Sequence, residues 1–252
     1  MAKTIAIANQ KGGVGKTTST INIAAALAER GRRMLVVDLD PQGALTLSFG
    51  QDPTRLALTV YDVLVSSRAI ADVTIKAKPG IDLVPATIDL SGAEVELSSA
   101  IGREHILRGK LAAVQNHYDV ILIDCPPNLG LLTINALTAA DHLLIPVQCQ
   151  FLSFRGMQLL LTMVTTVQER TNPALSVIGI LPTLYDGRTA HGREVLAELR
   201  LMYSDVLIDE PIRMRVALAD ASAHGKSIFE VDGSSDVAQA YRHVAEVLDG
   251  KA

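Results

Sequence analysis

The chain has 252 residues, with a formal net charge of -4, 48% hydrophobic residues and 20% charged residues. This composition fits one folded domain and excludes a largely disordered chain or a surface that is positively charged throughout. The two cysteines, Cys125 and Cys149, lie too far apart for a zinc motif or a disulfide framework. No apolar run is long enough to span a membrane, so we expect a soluble, cytoplasmic protein.

Short apolar runs alternate along the chain with longer helical patterns. The runs are apolar at nearly every position, which is typical of strands that are covered on both faces. They comprise residues 4–9, 33–40, 80–86, 118–126, 142–148 and 175–183. The helical patterns cover residues 16–30, 89–98, 103–116, 131–140, 154–170, 189–201 and 234–248. The alternation predicts a single doubly wound α/β domain over residues 1–252, with a mostly parallel sheet and helices on both faces.

A glycine-rich segment directly follows the first predicted strand and opens the first predicted helix. Residues 11–17 read KGGVGKT and match a P-loop, except that Gln10 occupies the position of the first glycine. Glycines let backbone N–H groups converge on phosphate oxygens, and the helix N-terminus adds positive potential. We expect Lys16 to bridge the β- and γ-phosphates and Thr17 to coordinate Mg²⁺. A glycine-rich turn without a ligand is the alternative, but it does not account for the lysine and threonine in this order.

Acidic residues end two of the predicted strands. The second apolar run ends with Asp38 and Asp40, and the fourth carries Asp124 near its end. Because the carboxyl ends of parallel strands form the ligand crevice of such a sheet, we expect all three side chains to face the P-loop. Asp38 and Asp124 are candidates for holding Mg²⁺, together with Thr17. Each acid alone could be a turn or cap residue.

Taken together, the motifs resemble the deviant Walker A ATPases of the ParA/MinD group, and most closely the ParA/Soj-type partition ATPases. The resemblance runs over nearly the whole chain. It is carried by KGGVGKT (11–17), DLDPQG (38–43), IDCPPNLG (123–130), TINALTAAD (133–141), IPVQ (145–148), ILPTLYDGRT (180–189) and ADASAHGKSI (219–228). It implies a P-loop NTPase fold and the short form of the family, without an N-terminal helix-turn-helix domain.

The resemblance also implies roles for individual residues. Lys11 would reach across an ATP-dependent homodimer to the phosphates of the other subunit, and Gly12 would lie at the dimer seam. Asp40 would position the attacking water, so Lys11, Lys16 and Asp40 are the expected catalytic residues. The residues expected around ATP are Lys11, Gly12, Gly13, Val14, Gly15, Lys16, Thr17, Thr18, Pro182 and Asp186, the last two near the adenine.

By the same resemblance, the ATP dimer would bind double-stranded DNA non-specifically at the nucleoid. A ParB-like centromere-binding protein would stimulate a slow ATPase and so segregate plasmid or chromosomal DNA. Such binding needs cationic side chains that meet phosphates. The candidates are Arg213, Arg215 and Lys226, with Arg188, Arg193 and Arg242 as further cations. Ala217 stands where the family usually has an arginine.

Two other functions of this family remain open. A ParA-like ATPase could position a cargo other than DNA over the nucleoid, and the chain departs from the partition pattern at Gln150 and Arg155, where acidic residues are common. A MinD-like ATPase would need a C-terminal amphipathic helix with a basic face and large apolar side chains. The C-terminal segment YRHVAEVLDGKA lacks these features. A cluster carrier would need a CxxC pair and a GTPase an NKxD motif, and the sequence has neither.

Overall fold

The computed structural model describes residues 1–150 and 153–250, without the side chains of 153–155. Within this part, seven strands form one sheet in the order β3-β4-β2-β5-β1-β6-β7. All neighbouring strands are parallel except β3 and β4. The strands are β1 (Lys3–Ile7), β2 (Met34–Asp38), β3 (Ile75–Lys78), β4 (Ile81–Val84), β5 (Val120–Asp124), β6 (His142–Gln148) and β7 (Ser176–Thr183). The predicted doubly wound, mostly parallel α/β sheet is confirmed.

Helices cover both faces of this sheet. They are α1 (Lys16–Glu29), α2 (Ala44–Ser48), α3 (Val60–Leu64), α4 (Ile70–Val73), α5 (Leu90–Glu96), α6 (Ile106–Ala112), α7 (Leu131–Ala139), α8 (Ser153–Arg170), α9 (Ala190–Met202), α10 (Val216–Ala223), α11 (Ile228–Asp232) and α12 (Asp236–Gly250). None of the described helices is both long enough and apolar enough to cross a membrane.

The alternation of side chains along the strands divides the core into two layers. On β5, Ile121 and Ile123 face a layer that includes residues of α3 to α9. Leu122, between them, faces the second layer, which includes residues of α1, α2, α10, α11 and α12. Both faces of the central strands are therefore buried, which explains their nearly continuous apolar sequence.

Some elements were not predicted from the sequence. The edge strand β3 forms an antiparallel hairpin with β4 through a turn at Gly80, where φ is +76°. Its polar positions Lys76 and Lys78 mask the strand pattern, as is common at a sheet edge. The short helices α2, α3, α4, α10 and α11 were also missed. The predicted helix 103–116 is shorter, since only α6 is α-helical there.

Candidate nucleotide-binding site

The glycine-rich loop lies between the end of β1 and the start of α1. Gly13 and Gly15 have φ angles of +72° and +83°, a conformation that glycine adopts without strain. Gly15 precedes the first residue of α1, and its carbonyl accepts a bond from the N–H of Ser19 at 2.9 Å. The loop is also fixed from β7, because the Thr183 hydroxyl donates to the Val14 carbonyl at 2.7 Å. The sequence interpretation missed Thr183, which lies 169 residues away from its partner.

The two lysines of the loop occupy different positions. Lys16 is the first residue of α1 and only 7% exposed, and its Nζ donates to the Lys11 carbonyl at 3.3 Å. Burial lowers its pKa, while the negative charge of Asp124 acts in the opposite direction. Lys11 is partly exposed, and its Nζ donates to Oε1 of Gln148 at 3.0 Å. The structure thus places a desolvated cation, Lys16, inside the loop and a second cation, Lys11, against the end of β6.

Asp124, at the end of β5, is joined directly to the start of α1. Its Oδ2 accepts a hydrogen bond from the Thr17 hydroxyl at 2.7 Å, and its Oδ1 accepts one from Thr20 at 3.3 Å. The carboxyl is fully buried, and burial, reinforced by the charge of Asp38, raises its pKa to about 8. The structure therefore brings together the threonine and the aspartate that the sequence suggested as a metal site.

Asp38 has a different environment from Asp124. Its Oδ2 accepts bonds from the N–H of Thr46 at 2.9 Å and from the Thr46 hydroxyl at 2.7 Å, while its Oδ1 accepts one from the N–H of Asp40 at 3.1 Å. Burial raises its pKa to about 6. Both oxygens thus fix the turn that leads from β2 into α2. A role of Asp38 in holding a metal stays a prediction.

Asp40 lies in this turn and is less deeply buried than Asp38. Its Oδ1 accepts a bond from the N–H of Gln42 at 3.0 Å. Its charge acts on both Lys16 and Asp124, so it lies on the same side of the sheet as the loop. Asp38 pairs with Asp124 across β2 and β5, so the three predicted acids lie at the carboxyl ends of these neighbouring strands, where Asp124 contacts Thr17.

The segment from Pro182 to Asp186 contacts the glycine-rich loop only near its first residues. Pro182 is buried in β7, and its carbonyl accepts the N–H of Ile212 at 2.8 Å. Asp186 pairs with Arg188 at 2.8 Å, and this pairing lowers its pKa to about 2. Thr183 provides the contact with the loop. A position of Pro182 and Asp186 beside adenine stays a prediction.

The oxygen ligands beside the loop suit Mg²⁺, and they do not form a site in which the protein alone would coordinate a metal. Among residues 1–150 and 153–250, no three His, Cys, Asp or Glu side chains form a metal-binding group. Mg²⁺ typically takes one or two protein oxygens and completes its shell with phosphates and water. The Thr17 hydroxyl and the Asp124 carboxylate, next to a phosphate-binding loop, fit that requirement.

Several of the candidate DNA-binding cations are clustered. Arg215 makes a bidentate pair with Asp236, at 3.1 and 2.6 Å, and Arg213 lies 3.6 Å from the same carboxylate. Backbone bonds between Tyr185 and residues 212–214 bring Arg188 close to this pair, and its charge acts on Arg215.

The remaining candidate cations have other surroundings. Lys226 is exposed in the turn between α10 and α11. Arg193 donates to the Gly187 carbonyl at 2.8 Å. Arg242 pairs with Glu29 at 2.9 Å and stacks on Phe229. Gln150 is exposed, and the side chain of Arg155 lies outside the described residues.

The loop, the buried lysine and the threonine bonded to a strand-end aspartate define a P-loop nucleotide-binding protein on a doubly wound sheet. A family model described as an AAA domain matches residues 2–177. The sporulation initiation inhibitor protein Soj of Bacillus subtilis is 46% identical over 98% of this chain and 98% of its own. The chromosome partitioning protein ParA of Caulobacter vibrioides is 39% identical over 96% of this chain and 92% of its own. The chain belongs to the ParA/Soj family of ATPases.

A solved structure shows a similar fold under a different name. It is a crystal structure of cobyrinic acid a,c-diamide synthase from Mycobacterium smegmatis, with bound ADP and magnesium. Its sequence is 43% identical to this chain, and the match covers 98% of this chain and 94% of that one with a TM-score of 0.87. The ligands in that protein are of the type that the loop described above can hold.

Proposed function

We propose that this protein is a nucleotide-dependent switch that binds ATP with Mg²⁺, dimerises in that state and then binds double-stranded DNA non-specifically. Hydrolysis, stimulated by a ParB-like partner, returns it to a weakly associated state. The observation that carries the proposal is the bond between Thr17 and Asp124 beside the buried Lys16, at the N-terminus of α1. Membership of the ParA/Soj family supports the choice of ATP and of DNA segregation.

The residues of the site have separate tasks in this proposal. The loop N–H groups and Lys16 bind the β- and γ-phosphates, and the dipole of α1 adds to their field. Thr17 and Asp124 would hold Mg²⁺, which would neutralise charge on the transferring phosphoryl group. Asp40 orients the attacking water. Lys11 supplies a positive charge to the phosphates of the partner subunit, which favours the dimer only while the triphosphate is intact.

The arginine cluster is the proposed DNA surface. The cluster consists of Arg213, Arg215 and Arg188. Two exposed apolar side chains lie beside it, Met214 between the first two arginines and Val216 directly after Arg215. Such side chains contact backbone phosphates and read little sequence. Dimerisation would place two copies of the cluster on one particle. DNA affinity would then rise steeply, because the second cluster binds at a high effective concentration.

Two alternatives, a MinD-like membrane ATPase and an amide-forming enzyme, fit the structure less well. A MinD-like membrane helix needs a free apolar face, but on α12 Tyr241, Val244 and Leu248 are buried in the core. The name of the similar solved structure, a diamide synthase, suggests an amide-forming activity as another alternative. If such an activity used a cysteine thiolate to release ammonia from glutamine, it would need a reactive thiol. Burial raises the pKa of Cys149 to about 12 and that of Cys125 still further.

Molar mass in solution tests the dimer directly. We would measure it by light scattering for the Asp40→Ala protein with ADP and with ATP plus Mg²⁺. We expect a monomer with ADP and a dimer with ATP. Lys11→Ala should remain monomeric in both states, while the control Lys76→Ala, which removes an exposed lysine from the edge strand, should behave like its parent. A Lys11→Ala protein that dimerises fully with ATP would refute the role in trans.

A further inference from the structure

Lys11 is tied to the end of β6 at two points, one of them through Asn9. Its backbone N–H donates to Oδ1 of Asn9 at 3.0 Å, and Asn9 in turn donates through Nδ2 to the Pro146 carbonyl at 2.7 Å. Its side-chain Nζ donates to Oε1 of Gln148 at 3.0 Å. Pro146 and Gln148 both belong to β6. Lys11 is therefore attached to the end of β6 by its backbone and by its ammonium group.

The same residue is linked to the phosphate-binding lysine. Lys16 Nζ donates to the Lys11 carbonyl at 3.3 Å. A phosphate oxygen is a stronger acceptor for an ammonium group than a neutral carbonyl, because the bond is charge-assisted. Phosphates in the loop would therefore draw Lys16 away from Lys11. Occupancy of the loop in one subunit would thus remove one of the contacts that hold Lys11.

We propose that Gln148 is a positioning residue that holds the Lys11 ammonium against its own subunit until nucleotide binds. This inference rests on the proposed role of Lys11 in trans, because a lysine that donates to Gln148 has to leave it to reach another subunit. A neutral amide suits the task, since it accepts one hydrogen bond without a permanent negative charge near the phosphates. We call the contact between Lys11 and Gln148 the lysine latch.

The latch predicts opposite effects for two substitutions at one position. Gln148→Met keeps the length of the side chain and removes the acceptor, so Lys11 is released in the monomer. A single hydrogen bond at the lower end of the usual net range corresponds to about 2.3-fold in an equilibrium constant. Two latches open in each dimer, so Gln148→Met should tighten ATP-dependent dimerisation about fivefold. Gln148→Glu should weaken it, because a carboxylate holds the ammonium more firmly.

Lysine reactivity tests the latch in the monomer. We would acetylate the nucleotide-free protein briefly and measure the labelled fraction of Lys11 by mass spectrometry, with the exposed Lys76 as the internal reference. Gln148→Met should label Lys11 several-fold faster than the wild type does. The control Gln150→Met makes the same change two residues further on, at an exposed position, and should label like the wild type. Equal labelling of Lys11 in Gln148→Met and the wild type would overturn the proposal.

Dimer dissociation constants complete the test. They would be measured by sedimentation of Asp40→Ala proteins at saturating ATP and Mg²⁺, with ADP affinity and thermal midpoint as checks of folding. Tighter dimers for Gln148→Met and weaker dimers for Gln148→Glu support the latch. Weaker dimers for both would show that Gln148 contacts the nucleotide or the partner instead, and would overturn it. If the parent protein does not dimerise with ATP, the proposed function fails, while the labelling result still decides whether the latch exists.

Discussion

The buried carboxyl of Asp124 predicts how the stability of the nucleotide-free protein changes with pH. Burial and the charge of Asp38 raise its pKa from the ordinary value of 3.8 to about 8, although Thr17 and Lys16 act in the opposite direction. Between these two values the folded protein keeps a proton that the unfolded chain has lost. The stability from this group is therefore fully present below pH 3.8, decreases as the pH rises and is lost above about pH 8.

The substitution Asp124→Asn isolates this effect. The amide cannot ionise, yet its oxygen can still accept the hydrogen bond from Thr17. Between pH 6 and pH 8, a difference of nearly one proton costs the wild type about 2 to 3 kcal/mol of unfolding free energy, at about 1.4 kcal/mol per pH unit. Asp38, whose pKa is about 6, contributes little above that pH. The variant should therefore lose much less stability than the wild type over this range.

Urea unfolding at pH 6, 7 and 8 in the presence of EDTA would measure the difference. The matched control is Asp119→Asn, because the ion pair with Arg33 lowers the pKa of Asp119 to about 2. The stabilising effect of that group is present above pH 3.8 and is lost only as the pH falls toward 2, so this control should follow the wild-type profile between pH 6 and 8. Parallel profiles of Asp124→Asn and the wild type would refute the reasoning.

Three further substitutions test other parts of the structure. Thr183→Val removes the hydrogen bond that fixes the glycine-rich loop, so it should lower the unfolding free energy by about 1 kcal/mol. It should also weaken ADP binding in a calorimetric titration. Unchanged ADP affinity would contradict this. Asp236→Asn frees Arg215 to bind a DNA phosphate. The slope of log affinity against log salt concentration, measured by fluorescence anisotropy, should therefore become steeper by about 1 for each subunit. An unchanged slope would count against the arginine surface. Gly225→Ala should cost roughly 1 to 3 kcal/mol in urea unfolding, since φ is +66° and a Cβ would lie 3.0 Å from backbone. The control Gly109→Ala lies in α6, where an added Cβ meets no neighbouring atom, and it should not destabilise the protein.

The sequence was sufficient for the features that depend on local pattern. The glycine-rich loop, the strand ending at Asp124 and the helix beginning at Lys16 are encoded by neighbouring residues, and their expected order is confirmed. The edge strand was missed, because its lysines, Lys76 and Lys78, alternate with small or apolar residues in a short segment that resembles a loop.

Contacts between distant segments could not be predicted in the same way. The bond of Thr183 to Val14 and that of Gln148 to Lys11 join residues that are 169 and 137 positions apart. No periodicity in one sequence specifies which side chain at the end of a strand will meet the loop. Both contacts follow from the sheet order, which places β6 beside β1 and β7 beside β6. The fold thus adds to the motif the partners that hold it in position.

The central claim is that the nucleotide state controls binding to DNA. The most direct test is a titration of the Asp40→Ala protein with duplex DNA of random sequence, in ADP and in ATP plus Mg²⁺, at two salt concentrations. We expect binding only with ATP, and a marked loss of affinity at the higher salt concentration, because phosphate contacts release counterions. Equal binding in both nucleotide states, or no binding by an intact ATP dimer, would contradict the account.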